Sequence, residues 1–281
     1  MKIGFMIVNY NDVSTTKLLL KNIELYKCID IILVVDNNST DDSFNILKEL
    51  ETDRIRIVNT MSNKGYGSAI NFGARYLKKL GIRWSFISNA DIVIEDEKVL
   101  MQLIDDINDN RAWIAPVIKE HNGISRGFKV ESPLDSILLS IPYFYRKFLS
   151  RINYDESYYN KDILPVECLS GCFFLLSLDV LEEVGYFDEN IFLYYEETTL
   201  SRKIEKTNKQ IVLDTRISVF HNHSVTIDKN LNRIKKYRTL KRSQRYFQKK
   251  YNHANYFILG IHWIIEKLTI ASMRTIGLFR P

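Results

Sequence analysis

Residues 86–94 read FISNADIVI, an apolar run that stops on Asn89-Ala90-Asp91 and is followed by a second apolar run. A buried strand that ends on a carboxylate sets a charge at the lip of a sheet. In open α/β sheets, ligands sit in the crevice beyond the strand C-termini, so Asp91 is placed to hold a metal or a polar substrate. A turn-forming Asx residue is the competing reading of the same tripeptide.

The runs upstream end in the same way. Lys2 to Asn9 breaks at Asn9-Tyr10-Asn11-Asp12, and Ile31 to Val35 ends on Asp36-Asn37-Asn38-Ser39-Thr40-Asp41. Uninterrupted apolar runs suit strands covered on both faces. Between them, Ser14 or Thr15 caps a helix predicted to about Lys27, with Leu18, Leu19, Ile23 and Tyr26 near helical spacing. A second helix is predicted from Asp42 to about Glu51, then a strand from Ile55 to Asn59. Asn63-Lys64-Gly65-Tyr66-Gly67-Ser68 is a glycine-containing turn opening a helix through Leu80. Backbone amides at such a turn can receive phosphate oxygens, although the stretch matches neither the P-loop nor the full dinucleotide fingerprint. The strand Trp84 to Ser88 then delivers Asn89-Ala90-Asp91. This β-α-β-α-β-α-β pattern implies a parallel sheet with right-handed crossovers. Residues 9–11, 36–39 and 89–91 would then share one rim.

Downstream, a helix is expected at 98–110 and a strand from Trp113 to Ile118. Residues 119–165 carry Gly, Ser, Pro and aromatics, including Tyr143, Phe144, Tyr145, Tyr158 and Tyr159. They read as an irregular lid or acceptor region. Val166 to Ser177 is strand-like and contains Ser170-Gly171, and Leu178 to Val184 is a short helix closed by Gly185. Phe192 to Tyr195 leads into Glu196-Glu197 and a helix to about Thr207. Ile211 to Leu213 and Ile217 to Phe220 read as short strands, the second ending on His221-Asn222-His223-Ser224.

At 281 residues the chain has room for one large α/β domain, or a domain with a small appendage. Sixteen Tyr and fifteen Phe suit ring-stacking sites as well as cores. Cys28, Cys168 and Cys172 lack zinc-type spacing, which points to a reduced cytosolic interior. The start, MKIGFMIVNYND, has no small-residue cleavage site and reads as a first strand. No run reaches the ~18–20 apolar residues that a membrane span requires.

Four ordered motifs resemble those of the inverting family 2 glycosyltransferases, whose fold is known as GT-A. They are VNYN at 8–11 with VDNNSTD at 35–41, NKGYGSAIN at 63–71, SNAD at 88–91, and the block 171–224 with GYFDENIFLYYEETTLSRK and VFHNHS. The likeness spans roughly residues 1–225 and is nearest to bacterial cell-surface polysaccharide enzymes, often rhamnosyltransferases. It implies a Rossmann-like α/β domain over 1–225, with a mixed, mostly parallel sheet flanked by helices and 119–165 as the acceptor or lid region.

The resemblance also assigns roles. Asp36 reads the pyrimidine edge through a charge-assisted bond, and Asn9, Tyr10, Asn11 and Asn38 line the same pocket. Asn63, Gly65, Tyr66, Gly67 and Asn71 border the ribose and diphosphate, while Asn89 and Ala90 complete the donor site. Asp91 takes the last position of the metal-binding DXD motif, whose first position here is Asn89. His221 matches a histidine that completes the metal site; Mn2+ or Mg2+ is expected, and imidazole suits Mn2+ better. Ser170, Gly171 and Cys172 fall in the acceptor half, and His223 is read as structural. Glu197 aligns with the Asp of the family's Glu-Asp pair and is the expected base, with Glu196 as the alternative. Adjacent residues at a helix start diverge by ~100°, so the pair would not straddle one bond as a glycosidase's carboxyls do.

The implied reaction is metal-dependent, inverting transfer of a sugar from a UDP- or dTDP-linked donor to a saccharide or lipid-linked saccharide in cell-surface polysaccharide synthesis. The competing classes are a nucleotide-sugar-binding protein without transferase activity and a nucleotidyltransferase. The latter expects a glycine-rich triphosphate loop near the first strand, which residues 8–13 lack.

Residues 226–281 form a basic helical C-terminal extension. From 229 onward, 13 Lys and Arg face Glu266 alone, a surplus of twelve; with +5 in total, residues 1–228 carry −7. Leu231, Ile234, Tyr237, Leu240, Tyr246 and Phe247 interleave the basic residues at near-helical spacing, and YFILGIHWII at 256–265 is too short to span but able to lie in an interface. The expected partner of 229–281 is an anionic membrane surface at the cytoplasmic side of the cell membrane, rather than nucleic acid. A helical oligomer interface, such as a homodimer, is the competing expectation.

Overall fold

The computed structural model describes residues 1–121, 123–141, 145–222 and 233–278. Tyr143, Phe144, His223, Ser224 and the start of the basic tail, with Lys229 and Leu231, lie outside the described residues.

The first third alternates strand and helix as its apolar runs dictate. Its elements are β1 (Ile3–Asn9), α1 (Val13–Ile23), β2 (Ile31–Asp36), α2 (Ser43–Lys48), β3 (Ile55–Asn59), α3 (Tyr66–Lys79) and β4 (Trp84–Asn89). After them come β5 (Ile92–Val93), α4 (Glu97–Asp105), β6 (Arg111–Glu120), β7 (Gly123–Ser125), α5 (Pro133–Ser140), α6 (Tyr145–Phe148), β8 (Ile163–Pro165) and β9 (Phe173–Ser177). The chain closes with α7 (Leu178–Glu183), α8 (Glu196–Ile204), β10 (Gln210–His221), α9 (Arg233–Lys250) and α10 (Tyr256–Leu278).

The strands form one mixed sheet in the order β3-β2-β1-β4-β9-β6-β10-β5, with β7 on β6 and β8 on β10. β1 to β4 are mutually parallel, and β10 runs parallel to β6; β9 is antiparallel to both β4 and β6. Successive side chains of β1 point to opposite faces, and both faces are covered. Phe5 and Ile7 pack with Leu19, Leu20 and Ile23 of α1 and Leu100 and Leu103 of α4. Met6 packs with Ala69, Ile70, Ala74 and Leu77 of α3 and Leu200 and Ile204 of α8. At Gly73 a Cβ would come within 2.8 Å of Met6 Cε and Val35 Cγ2, so α3 lies as close to the sheet as only glycine permits.

Several expectations change in detail. Only 173–177 of the run from Val166 to Ser177 joins the sheet ladder as β9; Cys168 instead bridges Phe128. The two short strands at 211–213 and 217–220 are one strand, β10, with a register shift between Asp214 and Ser218. There the Arg216 guanidinium holds buried Asp214 through Nε at 2.9 Å and Nη2 at 2.8 Å. The stretch 119–165 contains β7, α5, α6 and β8. The start of α5 was written in the sequence: Ser132 and Asp135 form a capping box, with Pro133 in the first turn.

The largest correction concerns α10. His262, Glu266 and Lys267 interrupt the apolar run but not the helix, so Tyr256–Thr275 is a 20-residue segment of mean hydropathy 1.2, long and apolar enough to cross a membrane by length and composition. In the fold two of its polar residues, His262 and Glu266, face inward, while Lys267 and Arg274 are exposed. His262 Nε2 meets Ser136 Oγ at 2.8 Å, and Arg245 of α9 pairs with Glu266. The outer face carries Phe257, Trp263, Ile264 and Leu268, all more than half exposed.

Candidate active site

Parallel pairing aligns the strand ends. Asn9 sits opposite Asp36, Asp36 opposite Asn59, and Val8 opposite Asn89, so the polar residues that end β1, β2, β3 and β4 form one rim. β9 starts at Phe173 opposite Ser88, which brings Ser170, Gly171 and Cys172 to the same edge. The antiparallel pairing of β10 with β5 sets His221 opposite Ile92, and Asn222 N donates to Asp91 O at 2.9 Å.

This topology joins residues 130 apart in sequence: His221 Nε2 lies 3.1 Å from Asp91 Oδ1, with both side chains 9% exposed. Glu120 Oε1, at the end of β6, is 3.6 Å from His221 Nδ1. Desolvation pushes the imidazole pKa down, but the hydrogen bonds to Asp91 and Cys172 override it and raise His221 to about 10. The pair fits a divalent cation in its donor chemistry, one carboxylate oxygen and one imidazole nitrogen. No group of three or more His, Cys, Asp or Glu side chains that could hold a metal ion occurs among the described residues. Among the described residues the pair would thus supply two ligands, and water or a bound diphosphate could supply others.

Gly171 connects this pair to the Glu196-Glu197 turn. A Cβ at Gly171 would lie 3.7 Å from Glu197 Oε2, and the Gly171 carbonyl accepts from Tyr66 Oη at 3.2 Å. Glu197 is half-buried, and burial raises its pKa. Glu196 is buried against Gly67, whose Cβ would stand 3.6 Å from Glu196 Cγ. Desolvation first, and then the neighbouring Glu197 charge, push Glu196 up to about 8.

The nucleotide rim is internally tied. Asp36 is fully buried and takes four hydrogen bonds: Asn9 Nδ2 at 2.8 Å and Ser39 Oγ at 2.6 Å on Oδ2, Ser39 N and Asn59 Nδ2 at 2.9 Å on Oδ1. A carboxylate has about four lone-pair sites, so a ring N–H would have to displace one of these donors. Asn9 is held further by Thr16 Oγ1 at 2.8 Å. Asn11, at φ 52°, exchanges bonds with Thr40; Asn38, at φ 58°, and Tyr10 are half-buried. Ala90 is buried, while Asn89 is half-buried and its backbone N–H donates to Cys172 O at 2.8 Å.

The NKGYG turn is roofed by the chain itself. Gly65 has φ 105°, and a Cβ there would sit 2.1 Å from Phe192 O; Tyr66 N donates to that carbonyl at 3.2 Å. Asn63 Oδ1 accepts from Asn37 Nδ2 at 3.0 Å. Asn71 is fully buried and clamps Phe187, accepting from its N–H at 2.8 Å and donating to its carbonyl at 3.0 Å. The close approach for which these glycines are required is that of residues 187–196.

Sequence reasoning missed Glu120 and the contact between Cys172 and His221. Both follow from sheet register, which no local pattern encodes.

Comparison with known proteins gives the site a context. The family model described as Glycosyl transferase family 2 matches residues 5–185. The low-salt glycan biosynthesis hexosyltransferase Agl10 of Haloferax volcanii is 25% identical over 224 residues, covering 79% of this chain and 68% of the relative. Among solved structures, GalNAc-T7 with UDP, GalNAc and Mn2+ superposes with a TM-score of 0.60 at 13% identity, covering 80% of this chain but only 44% of that one. S. aureus TarS 1-349 gives a TM-score of 0.56 at 14% identity, with 89% and 72% coverage. At such identity these two likenesses show the shared fold alone.

Proposed function

The chain belongs to glycosyl transferase family 2, and from that premise we propose that it transfers a sugar, with inversion, from a UDP- or dTDP-linked donor to a saccharide hydroxyl in cell-surface polysaccharide synthesis. The observation that carries this reading is the Ser170-Gly171-Cys172 segment, which borders the Asp91–His221 pair on one side and the Glu197 carboxylate on the other. A charge sink and a base beside one space are what displacement of a nucleoside diphosphate by a hydroxyl requires.

In this reading Glu197 accepts the acceptor's proton as its oxygen attacks the anomeric carbon. The raised carboxyl suits a base that works near neutral pH. Asp91 and His221 would hold Mn2+ or Mg2+, which when bound neutralises charge developing on the departing diphosphate. The rim from Asn9 to Ser39 would face the nucleotide, with Asp36 acting through the loop that its four bonds fix. Burial and internal bonding leave Asn71 to hold the roof over the donor side.

A screen of UDP-, dTDP- and GDP-sugars tests the reading. One donor should release nucleoside diphosphate when acceptor and Mn2+ are both present, and chelation should stop it. Donor binding without any release would instead mark a binding protein.

The agent that brings a lipid-linked acceptor within reach would be α10. Its outer Phe257, Trp263, Ile264 and Leu268 lie among exposed Lys249, Lys267 and Arg274, a pattern that suits an anionic lipid surface. The protein should pellet with phosphatidylglycerol vesicles, and Trp263→Ser with Leu268→Ser should weaken pelleting by ~10-fold or more. Equal recovery with phosphatidylcholine vesicles would count against it.

A further inference from the structure

The two residues ahead of the Glu196-Glu197 pair occupy a conformation that non-glycine residues avoid. Tyr194 has φ 68° and Tyr195 φ 71°, both left-handed. Such strain persists only where the surroundings impose it, and it concentrates at functional sites.

Here the surroundings are a helix from the far end of the chain. Tyr195 Oη donates to Glu131 Oε1 at 2.7 Å. That same oxygen accepts from Gln244 Nε2 at 3.2 Å and Gln248 Nε2 at 2.9 Å, both on α9. Beside these glutamines, Ser243 Oγ donates to Leu193 O at 2.8 Å, and the Phe247 ring lies 5.4 Å from that of Tyr195. Phe247 is fully buried in the same core cluster as Met6 and Trp113 of the central sheet. Residues 243, 244, 247 and 248 share one face at helical spacing, and each of them contacts Leu193, Tyr195 or the carboxylate that Tyr195 bonds.

We propose that Glu131, gripped by Gln244 and Gln248, is the positioning centre of the catalytic turn: it fixes Tyr195, and through Tyr195 the direction in which Glu197 leaves the start of α8. The inference rests on Glu197 being the base. Glu131 and Tyr195 are positioning residues, acting through the turn and not on the substrate. It follows that α9 belongs to the active-site framework, although its composition reads as that of an appended basic tail. Aim is the quantity at stake, because a displacement of about an ångström in a reacting group lowers rate by orders of magnitude while leaving ground-state binding intact.

The test uses Tyr195→Phe and Glu131→Gln in the full chain, assayed well below the melting temperature with whichever nucleotide-sugar releases nucleoside diphosphate fastest in the screen. Tyr195→Phe keeps the ring against Phe247 and removes only the donated bond. Glu131→Gln keeps the shape and removes the charge. The expected result is a fall in kcat of ~10-fold for each, with donor KM within about twofold of the parent. A parental kcat in both, alongside an inactive Glu197→Gln, would remove the positioning role and leave the base assignment standing. A lowered melting temperature with unchanged kcat per folded molecule would also overturn it, since that is what a merely structural contact gives. An active Glu197→Gln beside a slow Tyr195→Phe would remove the base assignment and keep the turn's control of rate.

Discussion

Glu197→Gln is expected to lower the rate of sugar transfer by ~10²–10⁴-fold while donor affinity stays within about twofold. The amide matches the carboxylate in size, so the contact beside Gly171 survives and only the proposed proton acceptor is lost. Glu196 makes the contrast. Its side chain is the more buried of the two, and burial with the Glu197 charge pushes it up to about 8, which favours the protonated form near neutral pH over a role as base. Glu196→Gln should therefore keep most of the rate. The sign of its effect on stability follows from linkage. Folding raises the Glu196 pKa above the unfolded value of 4.5, so above that value the unfolded chain releases a proton that the folded protein retains. Stability from this group is full below 4.5, falls as pH rises toward about 8, and levels off beyond it. In Glu196→Gln that slope should flatten, which melting curves against pH would reveal. Burial also raises Glu197, so the parent's kcat should climb with pH above the ordinary carboxylate range, and a kcat flat from pH 5 to pH 9 would count against a carboxylate base.

What the sequence disclosed and what it withheld divide along a physical line. Apolar runs revealed the first four strands, and those ending in Asn and Asp revealed the rim that three of them share, because period and turn chemistry are local properties of the chain. The pairing of Asp91 with His221 was reached by resemblance; geometrically it depends on β10 finding β5 across the sheet. The contacts of Glu120 and Cys172 with His221 gave no local signal, since each arises only through register. The glycines of NKGYG read as phosphate cradles, yet Gly65 meets the backbone of Phe192, more than a hundred residues later. The tail misled most. Its composition suggested a solvated or lipid-facing helix throughout, but Gln244, Phe247 and Gln248 of α9 are buried, and α10 turns His262 and Glu266 inward against Ser136 and Arg245 while Lys267 and Arg274 stay exposed. Hydropathy averages do not distinguish a helix with its polar face in from one with its polar face out.

Asp91→Asn should cost ~10³-fold in metal-dependent turnover, the loss expected when several kcal/mol of charge stabilisation goes. The motif's first position is already neutral at Asn89, so this substitution removes the carboxylate proposed to hold the metal beside His221 and leaves an amide oxygen. The change also acts on the histidine. Desolvation alone would push His221 down; Asp91 and Cys172 hold it up to about 10, so at neutral pH a cation must displace a proton to reach Nε2. In the parent, Mn2+ affinity in the presence of UDP should therefore rise about tenfold per pH unit below that value. Without the Asp91 carboxylate, His221 loses its main source of proton retention, and the same titration should give weaker binding with a shallower dependence on pH. Calorimetry of Mn2+ binding at pH 6, 7 and 8 separates the two effects. Parental affinity and an unchanged slope in Asp91→Asn would place the metal elsewhere, whereas weaker binding with a flattened slope requires that cation and proton compete for the pair formed where β10 meets β5.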